Sequence, residues 1–488
     1  MTSHSNGIGN KLVFGVDDIL NIVGEFGPFQ WMLTLVCVCL YIAPVMQMYI
    51  MYFVLTELPW KCINNSSLCT LNGTQTSGND YRCGIARSEW EYVQDADSSS
   101  VTAEYDLVCD SFWLVYMASS VFYLGKLFGA FIGGWLSDSF GRKTVIYPSY
   151  TLLLLANLIT IISPNIWLFL ACRFVSGFAT DAIVNQVLLL LSEFVTTRYR
   201  PIAVNVLWVG WIATCCFLPL VAYYIRHWKM LFVVCTVPYA LFLVTCFIVP
   251  ESVRWYRAKE RYRDANIVFR EIARWNRRSL DENVDVAKVT YCSERTTYLD
   301  IFRGEIVVST LAQSCIWIAL GIGYFGLSLA ADDLGGPSHL NFFYTSVVEL
   351  PAALCAAHFS HRFGRKKTTI FGLISGGVTC IIVALLPLSS HRLVFSLFGK
   401  LFVTLSYDVM AIWTVELYPT NVRSRGTNFA LMAFNVGTTA SPWIAKGLKN
   451  FSNGSPYIVM GVWVTFGGLV GLLLNETKGL DTKDTENE

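Results

Sequence analysis

Long apolar runs recur along the chain and are separated by shorter polar segments. The first clear run extends from Trp31 to about Leu55. Eleven more begin near Ser111, Thr144, Ile166, Ile202, Trp228, Glu305, Asn341, Thr369, Arg392, Thr427 and Pro456. About 20 mostly apolar residues suffice to cross a bilayer as a helix, and lipid offers no partner to an open backbone edge. The pattern therefore predicts an all-α membrane protein with twelve transmembrane helices.

The composition agrees with this pattern. Of the 488 residues, 54% are hydrophobic and only 15% are charged, whereas soluble domains carry about 25% charged residues. The high apolar content excludes a disordered chain. The formal net charge of +1 gives no field that would attract nucleic acid. We therefore expect the lipid bilayer, and no nucleic acid, as the surroundings of this chain.

Two long loops carry opposite charge. Residues 59–110 hold eight acidic and three basic residues, whereas residues 251–303 hold twelve basic residues. Basic loops remain on the cytoplasmic side of a membrane. We therefore expect the second loop in the cytoplasm, the first outside, and both termini cytoplasmic, in a protein of the plasma membrane.

The first loop also has features of an exposed, oxidising compartment. It contains four cysteines, Cys62, Cys69, Cys83 and Cys109, which predict two disulfides in one of three possible pairings. It contains three glycosylation sequons, at Asn64, Asn65 and Asn72. Together these features predict an outer, glycosylated loop.

The chain contains an internal repeat. The same offset, 223 residues, separates Gly141 from Gly364, Glu193 from Glu416, and Arg200 from Arg423. The repeat predicts two six-helix halves, 31–250 and 305–474, joined by the cytoplasmic linker 251–304 and flanked by the tails 1–30 and 475–488. Parallel six-helix repeats are an architecture of secondary transporters, with the substrate site between the halves near the middle of the membrane.

The segment Gly134-Trp-Leu-Ser-Asp138-Ser-Phe-Gly141-Arg142-Lys143 resembles a loop motif of the major facilitator superfamily. An aspartate there can accept hydrogen bonds from a helix N-terminus and from an arginine of the opposite half. We therefore expect a conformational lock formed by Asp138, Gly141, Arg142, Glu193, Arg200, Gly364, Arg365, Glu416 and Arg423. The alternative is a simple topology signal. His361 stands in the second copy where Asp138 stands in the first, which predicts a weaker lock in that half.

A closer resemblance, to the organic cation, anion and carnitine transporters of that superfamily, covers nearly the whole chain. It rests on Phe14-Gly-Val-Asp-Asp-Ile-Leu20, on Pro250-Glu-Ser-Val-Arg-Trp255 and on Glu416-Leu-Tyr-Pro-Thr-Asn-Val-Arg423. It also rests on Asn475-Glu-Thr-Lys-Gly479, where the family has proline in place of Asn475. The resemblance implies the major facilitator fold and the transport of small organic ions.

Ionisable residues inside spans are functional candidates because they are costly to place in lipid. Asp181, Asp408 and Glu349 lie in the fourth, tenth and eighth predicted spans, and Lys126 in the second could pair with one of them. The family typically has aspartate at the position of Asn435 in cation transporters, and arginine in anion and carnitine transporters. Here this position is neutral. Counting Lys126 against the three acids, we expect a local acidic excess that favours a cationic or zwitterionic solute.

Aromatic side chains complete the predicted site. The resemblance places Trp317, Tyr324 and Phe325 of the seventh span toward the substrate, and aromatic faces attract organic cations. The alternative for each ring is interhelical or lipid-facing packing. The substrate-binding candidates are Asp181, Asp408, Asn435, Glu349, Trp317, Tyr324 and Phe325.

Motifs for other functions are missing from the sequence. It has no P-loop, no His-Glu-x-x-His, no Cys-x-x-Cys pair and no nucleophile elbow, so we expect no enzyme, no ATP drive, no cofactor and no metal. The predicted function is secondary or facilitative transport of small organic ions, preferentially cations or zwitterions, by alternating access. The alternatives are an organic anion or carnitine transporter, and a transporter-like sensor or accessory protein that does not transport. The oligomeric state is left open.

Overall fold

The computed structural model describes residues 12–63, 80–93, 98–280, 284–286, 298–304, 306–387, 390–419 and 422–479. In the first part of the chain the helices are α1 (Val16–Val23), α2 (Pro28–Val54), α3 (Val101–Glu104), α4 (Trp113–Phe140), α5 (Arg142–Ile161), α6 (Ile166–Phe194), α7 (Arg200–Tyr224) and α8 (Trp228–Leu243). The linker carries α9 (Val253–Ala258) and α10 (Tyr262–Trp275). The second part has α11 (Ile306–Leu329), α12 (Ser338–Val347), α13 (Glu349–Phe363), α14 (Arg365–Leu385), α15 (Ser390–Leu417), α16 (Arg423–Pro442) and α17 (Ser455–Val470).

The predicted spans are present as helices. Each begins within four residues of its predicted start. Within the described residues, eleven helical segments are long and apolar enough to cross a membrane, and α12 and α13 form one of them. The remaining predicted span is α16. It is helical throughout, but its sequence is more polar than those of the other eleven segments.

The eighth predicted span is divided between α12 and α13. Pro351 lies in the first turn of α13 and has no backbone N–H to offer the carbonyl of Val347, where α12 ends. The division falls next to Glu349, so a buried carboxylate lies where the regular helix is interrupted.

The helices pack into two groups, and in both groups glycine residues lie where two helices cross closely. In the first group α6 packs on α4, α5 and α2, and in the second α11 packs on α16 and α17. A Cβ atom at Gly177 would overlap the Phe122 carbonyl oxygen, and one at Gly437 would overlap that of Ile318. Small residues at these crossings let two membrane helices approach closely.

The two groups make contact at the end of the bundle that carries residues 59–110, here named the loop end, as well as along α4 and α16. The Tyr52 hydroxyl donates to the Ser338 carbonyl oxygen over 3.2 Å. The Phe342 ring lies 5.3 Å from that of Tyr49 and 4.9 Å from that of Tyr52, measured between centroids. The opposite end, which carries the linker 251–304, is here named the linker end.

A small folded unit covers the loop end. Strands β2 (Trp60–Cys62) and β3 (Trp90–Tyr92) pair antiparallel, after the N-terminal strand β1 (Leu12–Phe14). A disulfide joins Cys83 to Cys109, and Cys62 is also disulfide-bonded. The prediction of disulfides in this loop is confirmed for these three cysteines. Four further predicted sites lie outside the described residues: Cys69, Asn64, Asn65 and Asn72.

At the linker end, the N-terminus and the linker are tied together. Strand β1 pairs in parallel with β4 (Val284–Val286), and the apolar faces of α1 and α10 are both buried. The Asn276 side chain accepts from the Phe29 backbone N–H at 2.9 Å. It donates to the Val23 carbonyl and to Gln30 Oε1, at 3.0 Å each. The linker helix is thereby fixed to the start of α2.

Candidate functional site

A buried ion pair joins α4 to α6. Lys126 Nζ lies 3.6 Å from Asp181 Oδ1, and each side chain is 7% exposed. The Asn185 amide donates to the other carboxylate oxygen of Asp181 at 2.6 Å. Asn435, from α16 in the second group, also has its side chain within hydrogen-bonding reach of Asp181. The prediction that Lys126 pairs with an intramembrane acid is confirmed, and Asn435 faces this pair across the two groups.

A second buried ion pair joins α13 to α15. Lys400 Nζ lies 3.1 Å from Glu349 Oε1, and the two side chains are 1% and 8% exposed. The Tyr324 hydroxyl donates to the same carboxylate at 2.6 Å. Sequence reasoning missed Lys400, although a lysine between Gly399 and Leu401 inside an apolar run was a usable signal.

The two pairs join corresponding spans of the repeat, with the positions of acid and base exchanged. The offset from Lys126 to Glu349 is 223 residues, the same as the repeat offset. In the first group the cation lies on the second span and the acid on the fourth. In the second group the acid lies on the eighth span and the cation on the tenth. Each group of helices therefore neutralises its own pair internally.

Asp408 differs from the other two acids. Its Oδ2 atom is buried without a hydrogen-bond partner among the described residues. It follows Tyr407 on α15, whose ring lies 5.4 Å from Trp317, 5.6 Å from Tyr324 and 5.3 Å from Phe434. The uncompensated carboxylate is thus one residue along α15 from a ring that belongs to an aromatic cluster between α11, α15 and α16.

The predicted aromatic residues occupy distinct places around this cluster. Trp317 donates from Nε1 to Thr414 Oγ1 at 3.0 Å, which fixes its ring. The Lys400 ammonium lies over the face of the Tyr324 ring, with its nitrogen 3.3 Å from the ring centroid. Phe325 meets Tyr123 and Tyr49 of the first group at 5.0 and 5.8 Å. Of the three predicted aromatics, Phe325 therefore contacts the first group, whereas Trp317 and Tyr324 contact side chains of their own group.

A fully buried arginine on α6 was also missed. The Arg173 guanidinium donates to Gln47 Oε1 and to the Gln47 carbonyl, at 3.0 Å each, and lies 4.3 Å from the Phe122 ring centroid. No carboxylate pairs with it among the described residues. With Lys400 and Arg173 added to Lys126, three cations stand against Asp181, Glu349 and Asp408, so the predicted acidic excess is wrong. What distinguishes the site is the one acid that lacks an ion pair.

The first linker-end cluster differs from the predicted lock. Arg142 pairs with Glu193 at 3.1 Å and with Asp138 at 3.3 Å, and the Asp138 side chain is 77% exposed. The carboxylate at the N-terminus of α5 belongs to Glu251, whose Oε1 accepts from the Arg142 and Lys143 backbone N–H groups at 2.8 and 3.2 Å. The prediction that Asp138 accepts from a helix N-terminus and from an arginine of the opposite half is wrong, because Glu251 occupies that place.

The second linker-end cluster repeats the first. Arg365 pairs with Glu416 at 2.8 Å, and its backbone N–H donates to Glu476 Oε1 at 2.9 Å. Gly141 and Gly364, which precede the two arginines, have φ of 110° and 94°, a region that favours glycine. His361, in the place of Asp138, is exposed. The signal for Glu251 and Glu476 was present, because both acids lie in the family motifs after the sixth and twelfth spans.

The remaining predicted lock residues bond close to their own positions. Arg200 Nε donates to the Ser192 carbonyl, and Arg423 Nε donates to the Tyr418 carbonyl, at 3.2 Å each. In the part of the chain that the structure describes, the hydrogen bonds and ion pairs of the two linker-end clusters each stay within one group of helices. The clusters therefore stiffen each group and do not fasten one group to the other.

Comparisons with known proteins extend over most of the chain. The model of the family described as sugar (and other) transporter matches residues 53–488. Human organic cation/carnitine transporter 2 is 30% identical over 411 residues, which cover 81% of this chain and 72% of the relative. The beta-alanine transporter of Drosophila melanogaster is 32% identical over 412 residues, which cover 82% and 68%. The inward-open structure of the xylose transporter XylE from E. coli shares the fold, with a TM-score of 0.65 at 15% identity, over 94% of this chain and 99% of that one.

Proposed function

Because the chain belongs to the sugar (and other) transporter family of the major facilitator superfamily, we propose that it carries small organic cations or zwitterions across the membrane by alternating access. The chain is a multi-pass membrane transporter and not an enzyme, and the family predicted from the sequence is confirmed. The proposal concerns the charge of the solute and the way in which it moves.

The observation that carries the proposal is the uncompensated carboxylate of Asp408. Asp181 and Glu349 each have a lysine partner within the bundle, whereas Asp408 Oδ2 has no partner among the described residues. A buried carboxylate without a cation is costly, and a cationic solute would remove that cost. Tyr407 is the next residue on α15, and an aromatic face that meets the bound cation would add about 0.5–2 kcal/mol through cation–π attraction.

The names of the relatives support a solute that carries a positive charge. Carnitine has a quaternary ammonium group and a carboxylate, and beta-alanine has a primary ammonium group and a carboxylate. The neutral Asn435, which lies beside the balanced Lys126–Asp181 pair, would neither repel nor select a carboxylate. A zwitterion therefore fits the site as well as a simple cation does.

The packing of the two groups of helices supports alternating access. We propose that residues 31–250 and 305–474 move as two bodies, with contacts such as Tyr52–Ser338 closing the loop end. We further propose that the linker end and both termini face the cytoplasm of a cell with this protein in its plasma membrane. A membrane potential would then drive a cation inward by about 2.3 kcal/mol per charge per 100 mV.

An organic anion is the second candidate, and Arg173 is the observation that favours it. Its guanidinium has a neutral partner, Gln47, and no carboxylate partner within the part of the chain that the structure describes. Binding an anion there would require Gln47 to move away, because Arg173 is fully buried. Asp408 Oδ2 has no partner among the described residues for a solute to displace, so we rank the cation first.

Uptake in oocytes tests the proposal. Labelled tetraethylammonium, carnitine, beta-alanine and an aromatic carboxylate are offered separately, and surface expression is measured in the same cells. We expect uptake of the cation or of a zwitterion, with inward current under voltage clamp for the cation. Uptake of the carboxylate alone would favour the anion candidate. No uptake of any of the four at normal surface expression would refute transport of these solute classes.

A further inference from the structure

The ammonium group of Lys400 is enclosed by oxygen atoms. Its nitrogen lies 3.1 Å from Glu349 Oε1, 2.9 Å from Ser328 Oγ and 3.1 Å from the Tyr324 carbonyl oxygen. The face of the Tyr324 ring covers it, with the centroid 3.3 Å away. A lysine ammonium has three N–H donors, and here each has one oxygen acceptor. The group is therefore bound as a small cation would be bound.

We propose that Lys400 is a tethered cation that permanently occupies a monovalent-cation site formed by Glu349, Ser328 and Tyr324. The site has one carboxylate, one hydroxyl, one backbone carbonyl and one aromatic face, which together match the charge and the donors of an alkylammonium ion. Glu349 therefore needs no inorganic cation from solution. For transport, which rests on the proposed function, this predicts that Glu349 provides no sodium dependence.

The dimensions of the site specify the class of cation. The three distances of 2.9–3.1 Å are hydrogen-bond lengths. They exceed the roughly 2.3–2.6 Å of oxygen around Ca²⁺. The oxygens are therefore spaced for the hydrogen bonds of an ammonium group, and they would have to move inward to hold an ion of the size of Ca²⁺.

The other buried lysine supplies a matched control. Lys126 Nζ lies 3.6 Å from Asp181 Oδ1, and the second oxygen of Asp181 accepts from the Asn185 amide. Within the described part of the chain Lys126 has Asp181 as its acceptor and lacks the hydroxyl and carbonyl oxygens that surround Lys400. Removing the Lys126 ammonium should therefore not leave a comparable site.

The test is thermal unfolding of the full-length protein in detergent. Lys400→Ala removes the ammonium and its carbon chain, and methylammonium chloride is then titrated against sodium chloride at equal ionic strength. We expect methylammonium to raise the unfolding midpoint of Lys400→Ala saturably, by about 2 °C or more. We expect no such rise for the wild type, for Lys126→Ala or for the double variant Glu349→Gln/Lys400→Ala, which lacks the carboxylate.

Equal responses of Lys400→Ala and Lys126→Ala, or no response of Lys400→Ala, would overturn the proposal. If Lys400→Ala cannot be purified folded, the wild type decides the question. Its unfolding midpoint should be the same in sodium, potassium and ammonium chloride. A saturable alkali-cation stabilisation that is lost in Glu349→Gln would show that Lys400 does not fill the site. These measurements need no transported solute, so their outcome is separate from that of the uptake experiment.

Discussion

Replacing Asp408 by asparagine tests the central claim about the solute. The change keeps the size of the side chain and removes the charge of the intramembrane acid whose Oδ2 atom is buried without a partner among the described residues. A hydrogen bond to a charged group contributes about 1.5–3 kcal/mol, and each 1.4 kcal/mol is a factor of about ten. We therefore expect the KM for a cation to rise by about 10- to 150-fold.

The same variant makes an opposite prediction for stability. Because Asp408 Oδ2 is buried without a partner among the described residues, removing its charge removes a desolvation cost. Asp408→Asn should therefore unfold at the same temperature as the wild type or higher. Replacing an acid that stabilises the fold would instead lower the unfolding temperature.

The assay is concentration-dependent uptake of a labelled cation in cells with quantified surface expression, alongside a melting curve. Asp264→Asn serves as the control, because Asp264 pairs with Arg261 on the surface of α10 at 2.7 Å. Unchanged cation KM in Asp408→Asn would refute the reasoning. A lower melting temperature with proportionate loss of uptake would assign Asp408 a structural role.

Two further predictions concern charges at the centre and at the linker end. Asn435→Arg alone should change selectivity little, because Asp181 lies within reach to neutralise the new charge. Asp181→Asn/Asn435→Arg should favour carboxylates, and competition between labelled cation and carboxylate uptake checks both. Glu251→Gln and Glu476→Gln should each lower the unfolding midpoint, because a carboxylate near a helix N-terminus contributes about 0.3–1 kcal/mol. Equal midpoints for the wild type and both variants would show that these acids do not hold the helix ends.

The helices could be predicted from the sequence because the length of an apolar run shows directly whether it can span the membrane as a helix. The interior contacts could not, because a helix that is apolar on nearly every side hides which face it turns inward. The sequence identified Lys126 as a candidate partner for an acid. Whether it pairs with Asp181 or with Glu349 depends on which face each helix turns toward its neighbours. Lys400 escaped notice for the same reason, and with it the balance of charge. Asp138 shows another limit of prediction from the sequence. The motif correctly marked a charged junction, but the acid that accepts hydrogen bonds from the N-terminus of α5 is Glu251, which lies more than 100 residues later in the chain.

The Asn276 contact sets an order of events during synthesis. Its partner Phe29 precedes it by 247 residues, and a ribosome adds about 5–20 residues per second. The start of α2 therefore waits about 12–50 s, while five further spans are made, before the side chain that completes it exists. During that interval the polar groups of Val23, Phe29 and Gln30 must be satisfied by water or by another protein. The first part of the chain to be made is thus among the last in its half to be finished.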